Sequence, residues 1–311
     1  MKERLRKQIE ILRARLTKCD LCPRRCGVNR YVTKRGFCGL GAQIVMERAL
    51  AHFGEEPPIT GEKGAGTIFF TSCNLKCPYC QNYQLSHEGR GKTINEATLA
   101  QIMLSLEKEG CHNIEAVTPT PQVAMIMAAL LLARSYGLSV PFIYNTGGYE
   151  SVDTLKLLDG FVDIYLPDFK YGSAQEGCAL GGIRDYPYRV VFAIKEMVRQ
   201  QGDGLLIEKG LARKGVLIRH LVLPGKTEDS KKVLRLIKKH ISTEVPLSIM
   251  AQYTPIPAVL THPTLGRRIT KEEYLSVIDY ALALNFKNIF VQEVNERHLV
   301  PDFASAQPFR W

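Results

Sequence analysis

No apolar run in this 311-residue chain approaches the about 20 residues needed to cross a bilayer. The start, MKERLRKQIEILRARL, is charged throughout and lacks the apolar core of a signal peptide. A mitochondrial transit segment is poor in acids, and Glu3 and Glu10 do not fit one. The nine cysteines are an odd number in a chain without an export signal. That weighs against a disulfide framework and predicts metal ligands in a reducing, cytoplasmic setting. The basic end is also short of aromatics. Residues 1–36 carry twelve Lys or Arg against three Asp or Glu, and the rings nearby are only Tyr31 and, just beyond, Phe37. A nucleic-acid platform interleaves bases with rings, so a solvated helix face is the expected reading, and no membrane or nucleic-acid partner is expected.

What is present is cysteine at short spacing. The stretch TIFFTSCNLKCPYCQNYQLS, residues 67–86, reads as a β-branched and aromatic strand that runs directly into Cys73, Cys77 and Cys80. Three thiolates at C-x3-C-x2-C can hold three corners of an iron–sulfur cube. The missing fourth cysteine would leave one iron open to a small chelating molecule. Zinc competes, although a structural zinc site takes four protein ligands. Three buried free thiols are the plain alternative.

A second set precedes it. Cys19, Cys22, Cys26 and Cys38 form C-x2-C-x3-C-x11-C, with Gly27, Gly36, Gly39 and Gly41 to turn the chain. Four thiolates make a closed site for zinc or for a second four-iron cluster, and spacing does not choose between them. Arg24, Arg25, Arg30, Lys34 and Arg35 would offset the thiolate charge.

The chain divides into a basic amphipathic helix over 1–18, a four-cysteine metal-binding segment and connector over 19–66, a large domain over 67–295 and a tail over 296–311. Leu5, Ile9, Leu12 and Leu16 give the first helix one apolar stripe. A short strand is expected over 44–51, and His52 reads as structural. Within the large domain, strands are predicted near 67–72, 113–118, 140–145, 161–168, 215–223, 246–252 and 288–292. Helices are predicted near 95–109, 122–136, 151–158, 188–201, 228–240 and 271–284. Alternation of this kind implies an α/β fold with a parallel sheet covered by helices. Six units fall short of the eight that close a barrel, so a partial (β/α)6 barrel is expected, with its working groups at the carboxyl ends of the strands. Residues 172–187 are Gly-rich, break the rhythm and read as a lid-like insertion. Cys111 reads as core and Cys178 as a free thiol. In the tail, Leu299, Phe303, Phe309 and Trp311 are expected to fold back on the body.

Polar residues cluster at the predicted strand ends: Asn145 in NTGGY, Asp168 and Lys170 in LPDFK, Arg219 in IRHLVLPG, and Gln252 in MAQYTP. A buried arginine in an apolar strand needs a partner. A ligand carboxylate and Asp168 are the two candidates.

The cysteine loop resembles the C-x3-C-x-aromatic-C motif of the radical SAM superfamily, with Tyr79 as the aromatic. The resemblance extends over most of the chain from Gly66 onward. It implies a three-cysteine [4Fe–4S] cluster that binds S-adenosylmethionine and cleaves it reductively to a 5′-deoxyadenosyl radical. The strand-end set, with the CxLCPRxCxVNR block at Cys19–Arg30, is similar to a pyruvate formate-lyase activating enzyme-like subgroup of the glycyl-radical-enzyme activases. That similarity places Tyr79, Asn145, Asp168, Lys170, Arg219 and Gln252 around the cofactor. It implies an electron donor such as flavodoxin or ferredoxin, and a glycyl residue of a partner protein as hydrogen source. The alternatives are modification of a small molecule or another peptide and, in a different class, a non-catalytic metal, electron-transfer or nucleic-acid-binding protein. The chain departs from the superfamily where a Gly-Gly-Glu stretch receives the cofactor amine. Val117-Thr118-Pro119-Thr120-Pro121-Gln122 stands there instead, so Thr hydroxyls or backbone carbonyls are expected to serve.

Overall fold

The computed structural model describes residues 2–295 and 300–309. In chain order the elements are α1 (Lys2–Ala14), β1 (Ile44–His52), α2 (Pro57–Thr60), β2 (Ala65–Phe70), α3 (Tyr83–Ser86), β3 (Lys92–Ile94), α4 (Glu96–Lys108), β4 (Ile114–Val117), α5 (Val123–Ser135), β5 (Phe142–Thr146) and α6 (Val152–Lys156). Then follow β6 (Ile164–Pro167), α7 (Ala174–Gly181), α8 (Tyr186–Gln201), β7 (Leu205–Glu208), β8 (Leu211–Val216), β9 (Ile218–Leu221), α9 (Thr227–His240), β10 (Leu247–Met250), α10 (Lys271–Ala283) and β11 (Ile289–Val291).

The strands form two sheets, ordered β3-β1-β2-β4-β5-β6-β8-β7 and β11-β10-β9. They are one surface in effect. β8 and β9 are consecutive, and β9 continues beside β6 through a parallel bridge between Asp168 and Arg219. From β2 through β4, β5, β6, β8–β9 and β10 to β11 every neighbouring pair is parallel. This is an α/β partial barrel with six crossovers. Strands covered on both faces are buried and mostly apolar: β2 and β4 are buried at every position, with Glu115 the charged residue among them. Antiparallel strands flank the run: β1 pairs with β2, β3 with β1, and β7 with β8.

Local chemistry sets the helix ends. The Asn95 side chain caps α4 by accepting from Thr98 N at 2.8 Å. Thr270 and Glu273 form a capping box on α10. Helix α9 starts with Glu228 and Asp229 and ends with Lys238, Lys239 and His240, each sign suited to the helix dipole. Leu5, Ile9, Leu12 and Leu16 are buried where α1 lies on α5. Each such leucine contributes roughly 1.5–3 kcal/mol by burial. Among the described residues no helix is long and apolar enough to cross a membrane.

Residues 172–187 hold a helix, α7, capped by the Ser173 side chain. Within the described part of the tail, Asp302 N bonds Pro308 O at 3.0 Å and closes a loop. Phe303 is buried and packs with Phe309 on Phe69. Leu299 and Trp311 lie outside the described residues.

Candidate functional site

The parallel strands end at one cavity of about 1090 Å³. Cys73, Cys77, Cys80, Tyr79, Asn145, Asp168, Lys170, Arg219 and Gln252 all line it. The fold therefore gathers onto one surface residues that lie up to about 180 positions apart in the chain, as a barrel of this kind does at the carboxyl ends of its strands.

The cysteine loop leaves β2 through a sharp reversal. Ser72 and Lys76 both take positive φ, 73° and 55°. Those are costly angles for non-glycine residues, and they gather where the fold dictates the backbone. The turn aims Leu75 N at the Cys73 sulfur, 3.4 Å away. The Tyr171 hydroxyl stands 3.3 Å from the Cys77 sulfur, and Ser86 hydrogen-bonds Cys80. Burial raises the Cys73 thiol pKa and pushes Cys80 up to about 12. Gly147 gives the loop room, since a side chain there would strike Leu75. The next residue, Gly148, takes a φ of 78° against the Asp168 carbonyl.

Among the described residues no three His, Cys, Asp or Glu side chains converge as a single metal ion would require. The three loop sulfurs face a shared cavity, each with a hydrogen-bond donor beside it. That arrangement fits a polynuclear cluster, in which each thiolate holds a separate iron.

Beside the loop, Lys170 Nζ pairs with Asp168 Oδ2 at 2.6 Å. Burial opposes the lysine charge, but Asp168 and Cys77 outweigh it, so the Lys170 pKa lies above its ordinary value. Tyr79 donates to Tyr171 at 2.9 Å, and the Tyr171 hydroxyl also lies 2.9 Å from Leu180 O. Gln252 is held through its carbonyl by Gln81 and through its side chain by Gln292.

Arg219 lines the cavity and pairs with two acids other than Asp168. Nε donates to Glu56 Oε1 at 3.0 Å, and Nη2 bonds both Glu55 and Glu56. The connector dips into the barrel mouth just before α2, and this brings the two acids in. Burial works against the Glu55 charge, but Arg219 and His52 overcome it and hold the pKa at about 2. Glu115, on β4, is fully buried and lies 4.0 Å from Arg219. Burial, and then the negative charge of Glu55, push it up to about 7. It accepts from Thr67 and Asn145 at 2.8 and 2.7 Å. His52 is structural here: it pairs with Glu55 at 3.0 Å and meets the Phe69 and Phe309 rings.

In the stretch that replaces Gly-Gly-Glu, Thr120 and Gln122 are committed elsewhere. Thr120 bonds Glu150, and Gln122 bonds the backbone of Val45 and Thr71. Thr118 lines the cavity, at a φ of 53°, and its hydroxyl donates to the Ser72 carbonyl at 3.3 Å, leaving the oxygen able to accept.

The N-terminal cysteines gather too. Cys19, Cys22, Cys26 and Cys38 line one small pocket with Gly36, Phe37 and Asn74. Burial pushes the Cys22 thiol up to about 12. Elsewhere, Cys111 is buried and Cys178 exposed.

Sequence reasoning missed Glu55, Glu56, Glu115 and Tyr171. The available signals were an adjacent acid pair before Pro57-Pro58 and a glutamate inside an apolar strand.

Fold and site together define a mixed α/β protein whose central sheet resembles those of radical SAM enzymes. Residues 59–130 match the model of a 4Fe-4S single cluster domain. The chain belongs to the family of the uncharacterised protein MJ0674 of Methanocaldococcus jannaschii, to which it is 31% identical over 293 residues, covering 91% of this chain and 80% of that one. Among solved structures it resembles Streptococcus suis SuiB bound to the precursor peptide SuiA, with a TM-score of 0.51 and 14% identity. That match covers 72% of this chain and 47% of SuiB, so the chain spans about half of SuiB's length. It is also similar to anSMEcpe with bound AdoMet, with a TM-score of 0.43 and 14% identity over 71% of this chain and 60% of that one.

Proposed function

We propose that the chain is a radical SAM enzyme. The observation that carries this reading is the placement of Cys73, Cys77 and Cys80 on one strained loop, opening onto a cavity that Asn145, Asp168 and Lys170 also line. The three thiolates would hold a [4Fe–4S] cluster, which, with S-adenosylmethionine bound, supplies reductive cleavage to a 5′-deoxyadenosyl radical. The chain's own residues position the partners and exclude water. Asp168 supplies an acceptor for the cofactor amine or ribose. Lys170, paired on one side, keeps donors toward its carboxylate. Thr118 offers a hydroxyl where the Gly-Gly-Glu stretch is missing. Arg219, held by Glu55 and Glu56, acts as a fixed wall and not as a carboxylate clamp.

The cavity sits at the top of the roughly 300–1,000 Å³ range of ligand pockets, which leaves room for cofactor and a substrate side chain together. SuiB was solved with a precursor peptide. A peptidyl hydrogen source, such as a glycyl residue of a partner protein, is the finer form of this reading.

The test is anaerobic reconstitution with iron and sulfide, then reduction and addition of S-adenosylmethionine. Wild type is expected to release 5′-deoxyadenosine, and a Cys73→Ala/Cys77→Ala/Cys80→Ala variant none. A fully loaded, reduced wild type that leaves the cofactor intact, with and without candidate peptides, would overturn the reading.

A further inference from the structure

The N-terminal cysteine set and the cysteine loop share a wall. Ser72 Oγ donates to the carbonyl of Cys38. Arg24 Nε donates to the Asn74 carbonyl at 3.0 Å. Asn74 itself lines the pocket of the four N-terminal cysteines, while its Oδ1 lies 3.9 Å from the Cys73 sulfur. Its Nδ2 is fixed by the Tyr149 carbonyl at 2.7 Å. A single residue thus stands between the two thiol sets.

All four N-terminal thiols line one small pocket. Four thiolates can hold one zinc ion or a cluster with one thiolate per iron. Zinc has no redox chemistry, so beside the loop cysteines only a cluster could pass an electron on.

The outer face of this pocket is accessible. Cys22, Cys26 and Cys38 are half-buried and Cys19 buried; in the loop Cys80 is half-buried and Cys73 and Cys77 are buried. Around it stand the exposed Arg25, Lys34 and Arg35, with Phe37 under Arg24 and Lys76. A basic rim around a small apolar contact attracts an acidic protein. The barrel mouth is the wrong entrance for electrons, because cofactor and substrate would fill it.

We infer that Cys19, Cys22, Cys26 and Cys38 hold a second [4Fe–4S] cluster, and that it is the port through which an acidic, low-potential one-electron carrier reduces the site at Cys73, Cys77 and Cys80. This rests on the radical SAM reading. With both groups in place, Cys19, Cys22, Cys26 and Cys38 would hold the group that accepts one electron from the carrier. Asn74 would lie on the path to the group held by Cys73, Cys77 and Cys80. No bond would break and no proton would be needed: the carrier would be oxidised by one electron and the loop group reduced by one.

The test counts metal and follows reduction. Iron, sulfide and zinc are measured in wild type and in the Cys73→Ala/Cys77→Ala/Cys80→Ala variant, which leaves the N-terminal set intact. The variant is expected to keep about four of the wild type's roughly eight irons and no zinc. Reduced wild type should show an EPR spectrum broadened by coupling between two clusters, and the variant an unbroadened one. One zinc in the variant, with iron in the wild type, sinks this inference and leaves the radical SAM reading standing. Equal iron in both proteins would instead remove the loop cluster, and with it both the relay and that reading. The port is tested by stopped-flow bleaching of wild type and an Arg25→Glu/Arg35→Glu variant. With photoreduced flavodoxin the variant should be reduced roughly tenfold more slowly, and with dithionite it should not be slowed. Equal rates with flavodoxin would overturn the port.

Discussion

Arg219 Nε lies 3.0 Å from Glu56 Oε1, joining a barrel strand to the connector 163 residues upstream. Burial alone would disfavour the charged arginine, and the acids reverse the sign. Arg219→Met would leave Glu55 and Glu56 buried and uncompensated, a loss of about 3–5 kcal/mol. Denaturant unfolding should show it, and adding Glu55→Gln and Glu56→Gln should restore much of the loss. The acid limb has a definite sign. Glu55 titrates near 2 in the folded state against 4.5 ordinarily, so its contribution is full above about 4.5 and is lost as pH falls toward 2.

Glu150 works in the opposite direction. It is buried against Thr120 and Thr146, and burial pushes its pKa to about 7 from 4.5. Between those values the folded chain holds a proton that the unfolded chain releases, so stability falls as pH rises through that window. Glu150→Gln should remove this share, about 3 kcal/mol at most. Urea unfolding at about pH 5 and about pH 8 reads the difference, with the variant flatter.

Tyr171 holds one hydroxyl proton between the Cys77 sulfur and the Leu180 carbonyl. A donor to a cluster thiolate raises its potential. Tyr171→Phe should therefore lower the midpoint of the loop cluster by an amount on the order of tens of millivolts. A redox titration followed by EPR measures it, and an unchanged midpoint would assign the proton to Leu180.

Phe303 pins the tail against Phe69 and Phe309. A buried Phe→Ala change costs about 3–5 kcal/mol where the whole fold feels it. Here the tail can open by itself, so Phe303→Ala should appear mainly as faster proteolysis after residue 300, with a smaller change in global unfolding.

Much of this was legible in the chain. All seven parallel strands and six crossover helices lie where periodicity puts them, because buried parallel strands and amphipathic helices leave strong local patterns. β3 and β7 did not show, since short edge strands carry little pattern. α7 was hidden by Gly177, Gly181 and Gly182, and its start depends on Ser173, which bonds Asp229 from α9 at 2.7 Å. The Arg219 partner was not readable for a similar reason: nothing local in a strand tells which distant acid will fold over it. Spacing gave both cysteine sets, but their nearness depends on where the chain crosses between Cys38 and Ser72.

The bond from Ser72 to Cys38 also bears on how the protein fills with metal. Ordering a loop around metal has an entropic cost, and a shared wall is ordered only once. If both cysteine sets take clusters as inferred above, loading one therefore favours loading the other without being required for it. Titrating iron and sulfide into the apoprotein is then expected to give fewer half-loaded chains than two independent sites would. Weakening the wall with Ser72→Ala should let the two sites fill independently.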